Sequence, residues 1–329
     1  MKNQKLRMLL AGAGFMGKAH FEAAQSLDNV EYIGILDANK DSAGKFSKQY
    51  GILGFSDFEE AVEKLKPDAV DICVPTSFHL PLITACAEKG VNVLCEKPLA
   101  LTVADALKIK EICNRKNIRL MVAQVLRFWP EYVYAVDAAK SGKYGKILSI
   151  DCKRFSTLPG WNSWMTKPDV GGGAVLDLQI HDIDFIVQLV GMPESIYSTG
   201  RFFNGTVNAV QNKFFYSSGI SVVSEASFMM PESYPFRMYF RVEFENAVME
   251  MDFWQPKNQR LKVFPAAGEM FIPELSGKDA YSDEIAYFSY CVNDGKAFDR
   301  VPLDESINSL LLCLKSKESC EGKNQLAVL

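Results

Sequence analysis

The chain has 329 residues, of which 48% are hydrophobic and 23% charged, and its formal net charge is −4 at pH 7. These proportions exclude a largely disordered protein, and no basic stripe is present that would indicate a nucleic-acid partner. No apolar run is long enough to span a bilayer, so we expect no membrane association, and the length predicts two domains of roughly 150 residues each.

Eight cysteines stand singly, without a C-x-x-C pair, and several lie in apolar runs. This pattern is typical of reduced, buried thiols and predicts a cytoplasmic protein. The N-terminus has basic residues before a short apolar stretch, as signal peptides do. Three glycines interrupt the stretch, however, so we interpret it as a strand followed by a turn.

Strands and helices are predicted to alternate through the first 125 residues. Apolar runs predict strands at Arg7–Ala11, Tyr32–Leu36, Ala69–Val74, Asn92–Cys95 and Arg119–Ala123. Amphipathic stretches predict helices around Lys18–Leu27, Lys40–Tyr50, Phe58–Leu65, Leu80–Lys89 and Val103–Lys116. Apolar strands separated by helices indicate a parallel sheet with helices on both faces. We therefore predict an α/β Rossmann domain, doubly wound, over residues 1–125.

The pattern changes after residue 125, where strand-like alternation dominates. Arg237–Glu245 alternates strictly between apolar and mostly charged residues, which predicts a half-buried strand. A helix is predicted at about Ala174–Val190, and two more close the chain at about Asp279–Asn293 and Asp304–Cys320. Residues 126–329 are thus predicted to form an α+β domain with a large open, mostly antiparallel sheet and helices on one face.

A glycine turn follows the first predicted strand and opens a helix. Gly12, Gly14 and Gly17 form a G-x-G-x-x-G pattern with Phe15 and Met16 between the last two glycines. The first glycine permits a tight turn, the second lets a pyrophosphate approach the backbone, and the third lets helix and strand pack closely. The five residues are therefore predicted to bind a dinucleotide. The alternative is a glycine-rich turn that binds nothing.

Asp37 ends the second predicted strand, about 20 residues after the turn, where a carboxylate accepts from a ribose 2′-hydroxyl. A carboxylate there repels the 2′-phosphate of NADP, so NAD is the expected cofactor. NADP remains possible because Lys40 is close enough in sequence to pair with that phosphate. Alternatively, Asp37 only caps the helix that follows it.

Further candidates follow the predicted strands Ala69–Val74 and Asn92–Cys95, at the edge where open α/β sheets bind ligands. They are Pro75, Thr76, His79, Glu96 and Lys97. Lys97 brings a cation to this edge of the sheet, although a solvated surface lysine is the alternative. In a glycine-containing loop farther on, Trp161 and Trp164 could offer an apolar face to a sugar ring, or pack in the loop or against another subunit.

A third cluster lies on the helix predicted after Gly171-Gly172-Gly173. Asp177, His181 and Asp184 are spaced i, i+4, i+7, which predicts one shared helix face. His181, one turn after a carboxylate, is the candidate general acid/base. The alternative is that Asp177 and His181 form only a surface ion pair. A metal site formed by the three is a poorer interpretation, because Lys97 would repel a cation, and we predict no metal.

Three motifs occur in a fixed order: the glycine turn, Glu96-Lys97-Pro98 and the Gly-Gly-Gly…Asp177-x-x-x-His181 helix. Together they resemble the glucose–fructose oxidoreductase, inositol dehydrogenase and MocA family, and the resemblance covers essentially the whole chain. The resemblance implies a Rossmann domain followed by a substrate and oligomerisation domain, with the active site between them and a homo-oligomer, dimer or tetramer. It implies that Lys97, Asp177 and His181 are catalytic and that Arg127 borders the substrate. It also places Pro75, Thr76, His79 and Glu96 at the nicotinamide end of the cofactor site.

One departure concerns Gln179, where the family commonly has glycine. Its side chain either narrows the substrate pocket or packs elsewhere. The resemblance predicts hydride transfer between a nicotinamide cofactor and a secondary alcohol or carbonyl of a sugar, polyol or inositol-like molecule. Two alternatives stay open: an NAD-dependent glycosidase that oxidises a sugar transiently, and a non-catalytic NAD(P)-binding regulator.

Overall fold

The computed structural model describes residues 5–158 and 167–328, so Trp161 and Trp164 lie outside the described residues. The chain divides into two compact units. Unit 1 comprises Met1–Phe128 and Lys278–Asp304, and unit 2 comprises Trp129–Gly277 and Glu305–Leu329. The scheme predicted from sequence, 1–125 and 126–329, did not include the return of residues 278–304 to unit 1. Within the described residues, no helix is long and apolar enough to cross a bilayer.

Unit 1 is built on six strands and six helices within its described residues. The strands are β1 (Leu6–Ala11), β2 (Val30–Leu36), β3 (Leu53–Phe55), β4 (Ala69–Ile72), β5 (Asn92–Glu96) and β6 (Leu120–Ala123). The helices are α1 (Phe15–Ala24), α2 (Lys40–Tyr50), α3 (Phe58–Leu65), α4 (His79–Glu88), α5 (Val103–Lys116) and, late in the chain, α8 (Ala280–Asp294). All strand pairs in this sheet are parallel, which confirms the predicted α/β class.

The strand order of this sheet is β3-β2-β1-β4-β5-β6. Every residue of β4 and β6 is buried, as expected for strands covered by helices on both faces. The order reverses between β1 and β4, which creates the crevice at the strand C-termini where Rossmann folds bind dinucleotides. The fold therefore presents its ligand-binding edge at the ends of β1, β4 and β5.

Helix α8 joins unit 1 through hydrogen bonds to the segment between α1 and β2. The Ser282 hydroxyl donates to the Ala23 carbonyl at 2.8 Å, and the Ser289 hydroxyl donates to the Asn29 carbonyl at 2.9 Å. The side-chain amide of Asn29 donates in turn to the Ala286 carbonyl at 3.2 Å. These contacts join residues more than 250 positions apart in the chain.

Unit 2 contains the larger sheet. Its strands are β7 (Ile147–Thr157), β8 (Ser195–Phe203), β9 (Thr206–Phe215), β10 (Ser221–Met230), β11 (Arg237–Phe244), β12 (Ala247–Asp252), β13 (Leu261–Pro265) and β14 (Leu326–Ala327). Its helices are α6 (Pro130–Lys140), α7 (Ile180–Val190) and most of α9 (Leu303–Gly322). The order is β13-β12-β11-β7-β10-β9-β8-β14, and within the described residues only the β7–β10 pair is parallel, which confirms the predicted mostly antiparallel sheet.

The two faces of this sheet differ in character. Along β11, Met238, Phe240 and Val242 are buried while the residues between them are partly exposed, which confirms the period-two prediction. Phe240 packs against the rings of Tyr132 and Phe185, with centroids 4.9 and 5.0 Å away. The helices therefore cover one face of the sheet, and the polar face is left open.

Candidate active site

The glycine turn joins β1 to α1, and two of its glycines are required by close packing. Gly12 has a φ of +107°, and a Cβ added to it would lie 2.5 Å from the Cys73 carbonyl oxygen. A Cβ on Gly17 would lie 1.9 Å from the Gly12 carbonyl oxygen. Any larger residue at either position would push the turn away from β4 or from α1.

Gly14 differs from the other two glycines because a Cβ added to it would meet no atom within 4 Å. It caps the N-terminus of α1, and its outer side is exposed. Phe15, which follows it, is 67% exposed, and Met16 is half-buried. An exposed helix N-terminus with unobstructed backbone is the arrangement that a pyrophosphate requires, so the turn fits a dinucleotide.

The Asp37 carboxylate lies beside the glycine turn. One oxygen accepts from the Ala13 N–H at 2.9 Å, and the other accepts from the Asn39 N–H at 2.8 Å. The cap of α2 is Asn39, whose side chain accepts from the Asp41 and Ser42 N–H groups. Asp37 therefore does not cap α2, which removes that alternative. Since a carboxylate oxygen can accept more than one hydrogen bond, Asp37 fits a ribose hydroxyl beside the turn.

His79 is 1% exposed and connects the loops that follow β4 and β5. Its Nε2 lies 2.9 Å from the Val74 carbonyl oxygen, and its Nδ1 lies 3.0 Å from that of Pro98. Burial lowers the pKa of this imidazole. The ring therefore joins the two loops, and its place in the cofactor site stays a prediction. Pro75 and Thr76 form the start of the first loop, where Thr76 is buried.

Glu96 and Lys97 end β5. The Lys97 N–H donates to a Glu96 carboxylate oxygen at 3.0 Å, and the other Glu96 oxygen lies 3.1 Å from Nε2 of His20. Glu96 is 7% exposed, and its place at the nicotinamide end of the cofactor site stays a prediction. Lys97 itself is half-buried, and its peptide bond to Pro98 is cis.

Arg127 follows β6 and is 4% exposed. Its guanidinium donates to the Arg300 carbonyl at 2.9 Å, and the Arg300 guanidinium donates to the Arg127 carbonyl at 2.8 Å. These contacts tie the end of β6 to the segment after α8 within unit 1. A direct contact of Arg127 with substrate stays a prediction.

In unit 2 a π-helical turn, Val175–Gln179, leads directly into α7. Gly173 precedes it with a φ of +76°, and a Cβ there would lie 2.8 Å from the Val207 carbonyl oxygen. The glycine run thus lets the helix start close against β9. Single π turns inside helices are frequent at functional sites.

Asp177 and His181 are each half-buried at the start of this helix. Asp184, by contrast, is 1% exposed and accepts from the Ser309 hydroxyl of α9 at 3.0 Å. Asp184 is thus engaged with α9, and the shared face of the three residues stays a prediction. Among the described residues, the one acid, histidine and cysteine group close enough to hold a metal ion is in unit 1 and includes none of the three.

Two further polar side chains of the same helix point inward. Gln179 is fully buried, and its amide donates to the Ser224 hydroxyl of β10 at 3.1 Å. Its side chain therefore packs against the sheet. Asp182 is fully buried and accepts two hydrogen bonds from the Arg154 guanidinium of β7, at 2.7 and 3.1 Å. Sequence reasoning missed this pair, although an acid within an apolar helix was a visible signal.

Burial opposes the positive charge of Arg154, but the neighbouring Asp182 carboxylate outweighs it and raises the pKa of the guanidinium above its ordinary value. Burial raises the pKa of the Asp182 carboxyl, and its two hydrogen bonds from Arg154 attach α7 to β7.

Unit 1 combines the Rossmann strand order, an open glycine turn and an acid beside it, which defines a dinucleotide-binding protein. Residues 6–124 match the model of the oxidoreductase family with an NAD-binding Rossmann fold, and residues 132–250 match the GFO/IDH/MocA C-terminal domain. The chain belongs to this GFO/IDH/MocA family, as its motifs indicated.

Three similar proteins illustrate the relationship. The D-xylose 1-dehydrogenase (NADP(+)) 2 of Haloferax volcanii is 26% identical over 326 residues, which cover 95% of this chain and 96% of that protein. The rhizopine catabolism protein MocA of Rhizobium meliloti is 29% identical over 191 residues, 57% of this chain and only 58% of that protein. A levoglucosan dehydrogenase solved with NADH and levoglucosan shares the fold, with a TM-score of 0.88 at 20% identity over 99% of this chain and 100% of that chain.

Proposed function

We propose that this oxidoreductase transfers a hydride between NAD and a secondary alcohol or carbonyl of a sugar, polyol or inositol-like molecule. One observation in unit 2 carries the proposal. Of the polar residues between positions 177 and 184, Gln179, Asp182 and Asp184 are buried on protein partners, whereas Asp177 and His181 are partly exposed. An acid and a histidine one turn apart suit proton transfer to a bound hydroxyl.

In this mechanism His181 accepts the hydroxyl proton as the carbon becomes a carbonyl, and Asp177 orients the imidazole and stabilises its charged form. Lys97 donates a hydrogen bond to the same substrate oxygen and stabilises the negative charge that develops there. NAD, when bound, supplies the acceptor for the hydride that leaves the carbon. In reduction the same residues act in reverse, with His181 as the proton donor.

The substrate class is supported by the names of the relatives. Proteins similar to this chain are named for acting on D-xylose and levoglucosan, and both of these molecules carry several secondary hydroxyls.

A screen of sugars, polyols and inositols with NAD and with NADP tests the function. A dehydrogenase produces a net rise in the absorbance band of the reduced nicotinamide during turnover. An NAD-dependent glycosidase cleaves its substrate with no net change in that band. A regulator binds the cofactor but turns over nothing, and either of these outcomes would overturn the proposal.

Cofactor preference gives a separate prediction. We expect NAD to bind more tightly than NADP, because Asp37 accepts from the ribose hydroxyl and repels an added phosphate. Asp37→Ser should narrow the gap by roughly tenfold, equivalent to about 1.4 kcal/mol, measured by fluorescence titration with NADH and NADPH. Lys40→Ala is the matched control and should weaken only NADPH. Equal affinities in the unmodified protein would show that Lys40 dominates.

We also propose that the protein is a homo-oligomer that associates through the open face of the unit 2 sheet. Charges of both signs alternate there, including Asp151, Lys153, Lys213 and Glu225, around a cavity of about 400 Å³. Interspersed charges suit a polar subunit interface. Light scattering should give the mass of a dimer or tetramer at micromolar concentration, and a monomer would remove the proposal.

A cytoplasmic location is proposed as well. Seven of the eight cysteines are buried thiols, and Cys73 is partly exposed. Unpaired buried thiols are typical of proteins in reducing compartments.

A further inference from the structure

A buried polar cluster in unit 1 has no part in the mechanism above. His20 and Asp71 are fully buried, and Glu96 is 7% exposed. They lie on α1, β4 and β5, so three separate elements each bring one ionisable side chain to the same place. Burying ionisable side chains costs free energy unless they are paired. A buried cluster of this kind therefore indicates a role beyond packing.

Asp71 anchors the cluster. Its carboxylate lies 2.9 Å from Nδ1 of His20 and accepts from the Tyr32 hydroxyl through the same oxygen. The Cys73 thiol donates to the other oxygen at 3.6 Å. Burial alone lowers the pKa of His20, but its neighbours Cys73 and Asp71 outweigh burial and raise the pKa well above its usual value.

The second ring nitrogen of His20 faces Glu96. Nε2 and the Glu96 oxygen are 3.1 Å apart, which makes an ion pair in which the N–H is not aligned for a hydrogen bond. The other Glu96 oxygen accepts from the main-chain N–H of Lys97 at 3.0 Å. A continuous set of contacts thus runs from Asp71 through His20 and Glu96 to the backbone of Lys97.

Helix α8 closes the cluster. The Tyr281 ring lies 5.8 Å from the His20 ring, and Glu284 is fully buried. Burial raises the pKa of Glu284 well above its usual value. The cluster therefore brings four ionisable side chains together inside unit 1: His20, Asp71, Glu96 and Glu284.

His20, Asp71 and Cys73 also lie close enough together to hold a metal ion. Their observed contacts already pair the groups without one, since Asp71 holds His20, Tyr32 and Cys73. The contact of His20 with Glu96 on its opposite edge is unrelated to such a site. The cluster is therefore better explained by its connection to Lys97.

We propose that Asp71, His20 and Glu96 form a positioning relay that holds the main chain of Lys97, and thereby its ammonium group, in the place where the substrate oxygen binds. The inference rests on the proposed function, in which Lys97 contacts that oxygen. The three residues are positioning residues, because their effect reaches the substrate only through Lys97. A displacement of about 1 Å at such a group can cost roughly 10²-fold in rate.

Two substitutions of His20 separate its contact with Asp71 from its contact with Glu96. Asparagine places an amide near the position of Nδ1 and can keep the Asp71 contact, whereas glutamine places it near Nε2 and can keep the Glu96 contact. We expect His20→Asn to lower the single-turnover rate by roughly 10- to 100-fold, and His20→Gln to lower it less. NADH affinity should be unchanged in both, since His20 is fully buried in α1 and the cofactor is expected at the exposed glycine turn.

The decisive comparison is made in the Lys97→Ala background. If His20 acts through Lys97, His20→Asn should add less than about a twofold loss there. Val70→Ala, a cavity-forming change at a fully buried position of β4, is the control for lost stability and should lower Tm with turnover retained. An undiminished His20→Asn loss in the Lys97→Ala background would overturn the relay.

A measurement without turnover keeps the relay separate from the proposed function. Reductive methylation with ¹³C-formaldehyde labels the lysines, and the Lys97 signal is assigned by its loss in Lys97→Arg. In His20→Asn, this signal should move toward that of solvent-exposed lysines. If His20→Asn does not fold, Glu96→Gln is measured in its place with the same expected result. An unmoved signal would refute the relay even if no sugar or polyol were turned over, whereas absent turnover with a shifted signal would refute only the function.

Discussion

His181→Ala is expected to lower turnover by about 10²–10⁴-fold, the usual range for the loss of a positioned general base. NAD affinity should stay nearly unchanged, because His181 acts on the substrate hydroxyl and the dinucleotide is held by the glycine turn of unit 1. Initial rates on a substrate found in the screen, together with a separate NADH titration, measure the two quantities. In the oxidation direction, turnover should also rise with pH, since only a neutral imidazole can accept the proton.

The control for this experiment lies on the same helix. Gln188 is half-buried two turns after His181, and Gln188→Ala should leave turnover within about twofold of the unmodified enzyme. Lys97→Ala and Asp177→Asn should both be damaging, and the double variant His181→Ala with Lys97→Ala should cost less than the product of the single effects, because both residues act on one oxygen. Near-normal turnover in His181→Ala would make the mechanism untenable, even with fold and cofactor correct.

The second large effect concerns stability. Asp182→Asn should lower the free energy of unfolding of unit 2 by about 3–5 kcal/mol, because it leaves the Arg154 charge buried without its partner. All four tryptophans of the sequence, Trp129, Trp161, Trp164 and Trp254, lie in unit 2, so tryptophan fluorescence during urea unfolding reports on this unit. A shift of the unfolding midpoint toward lower urea is the expected reading.

Removing both charges distinguishes the pair from simple packing. Arg154→Met with Asp182→Leu replaces the ion pair by apolar side chains and should recover most of the lost stability. Lys18→Ala, which breaks an exposed pair with Glu22 at 3.8 Å in unit 1, should leave the midpoint unchanged. If Asp182→Asn were as stable as the unmodified protein, the buried pair would not be holding α7.

Local patterns in the sequence determined the fold class of each unit and identified the glycine turn and Asp37 of the candidate site. Apolar runs separated by helical stretches indicated the parallel sheet, and strict alternation along Arg237–Glu245 indicated the half-covered one. The glycine turn and Asp37 were recognisable because they meet within one strand–turn–helix segment and the strand that follows. Periodicity and turn chemistry depend on neighbours a few residues away, and the sequence displays these directly.

The three-residue strand β3 left no such trace, because it is too short to show a period. Asp184 was placed on the face of His181 by spacing alone, whereas its contact with Ser309, 125 residues later, decides its direction. The same is true of Gln179, which donates to Ser224 of β10. Where an otherwise regular helix can turn either face inward, the partner on the neighbouring element selects one.

Pairs distant in sequence were decided by the tertiary structure alone. The sequence shows Asp71 in an apolar strand and His20 after the glycine turn. It does not show that these residues and Glu96 lie together in the folded chain. Arg154 pairs with Asp182 in the same way across 28 positions. Helix α8 contacts the end of α1 and the segment before β2 across more than 250 positions. Buried polar groups must be paired to be tolerated, yet the sequence does not state which partners pair, because only the folded chain brings them within hydrogen-bond distance.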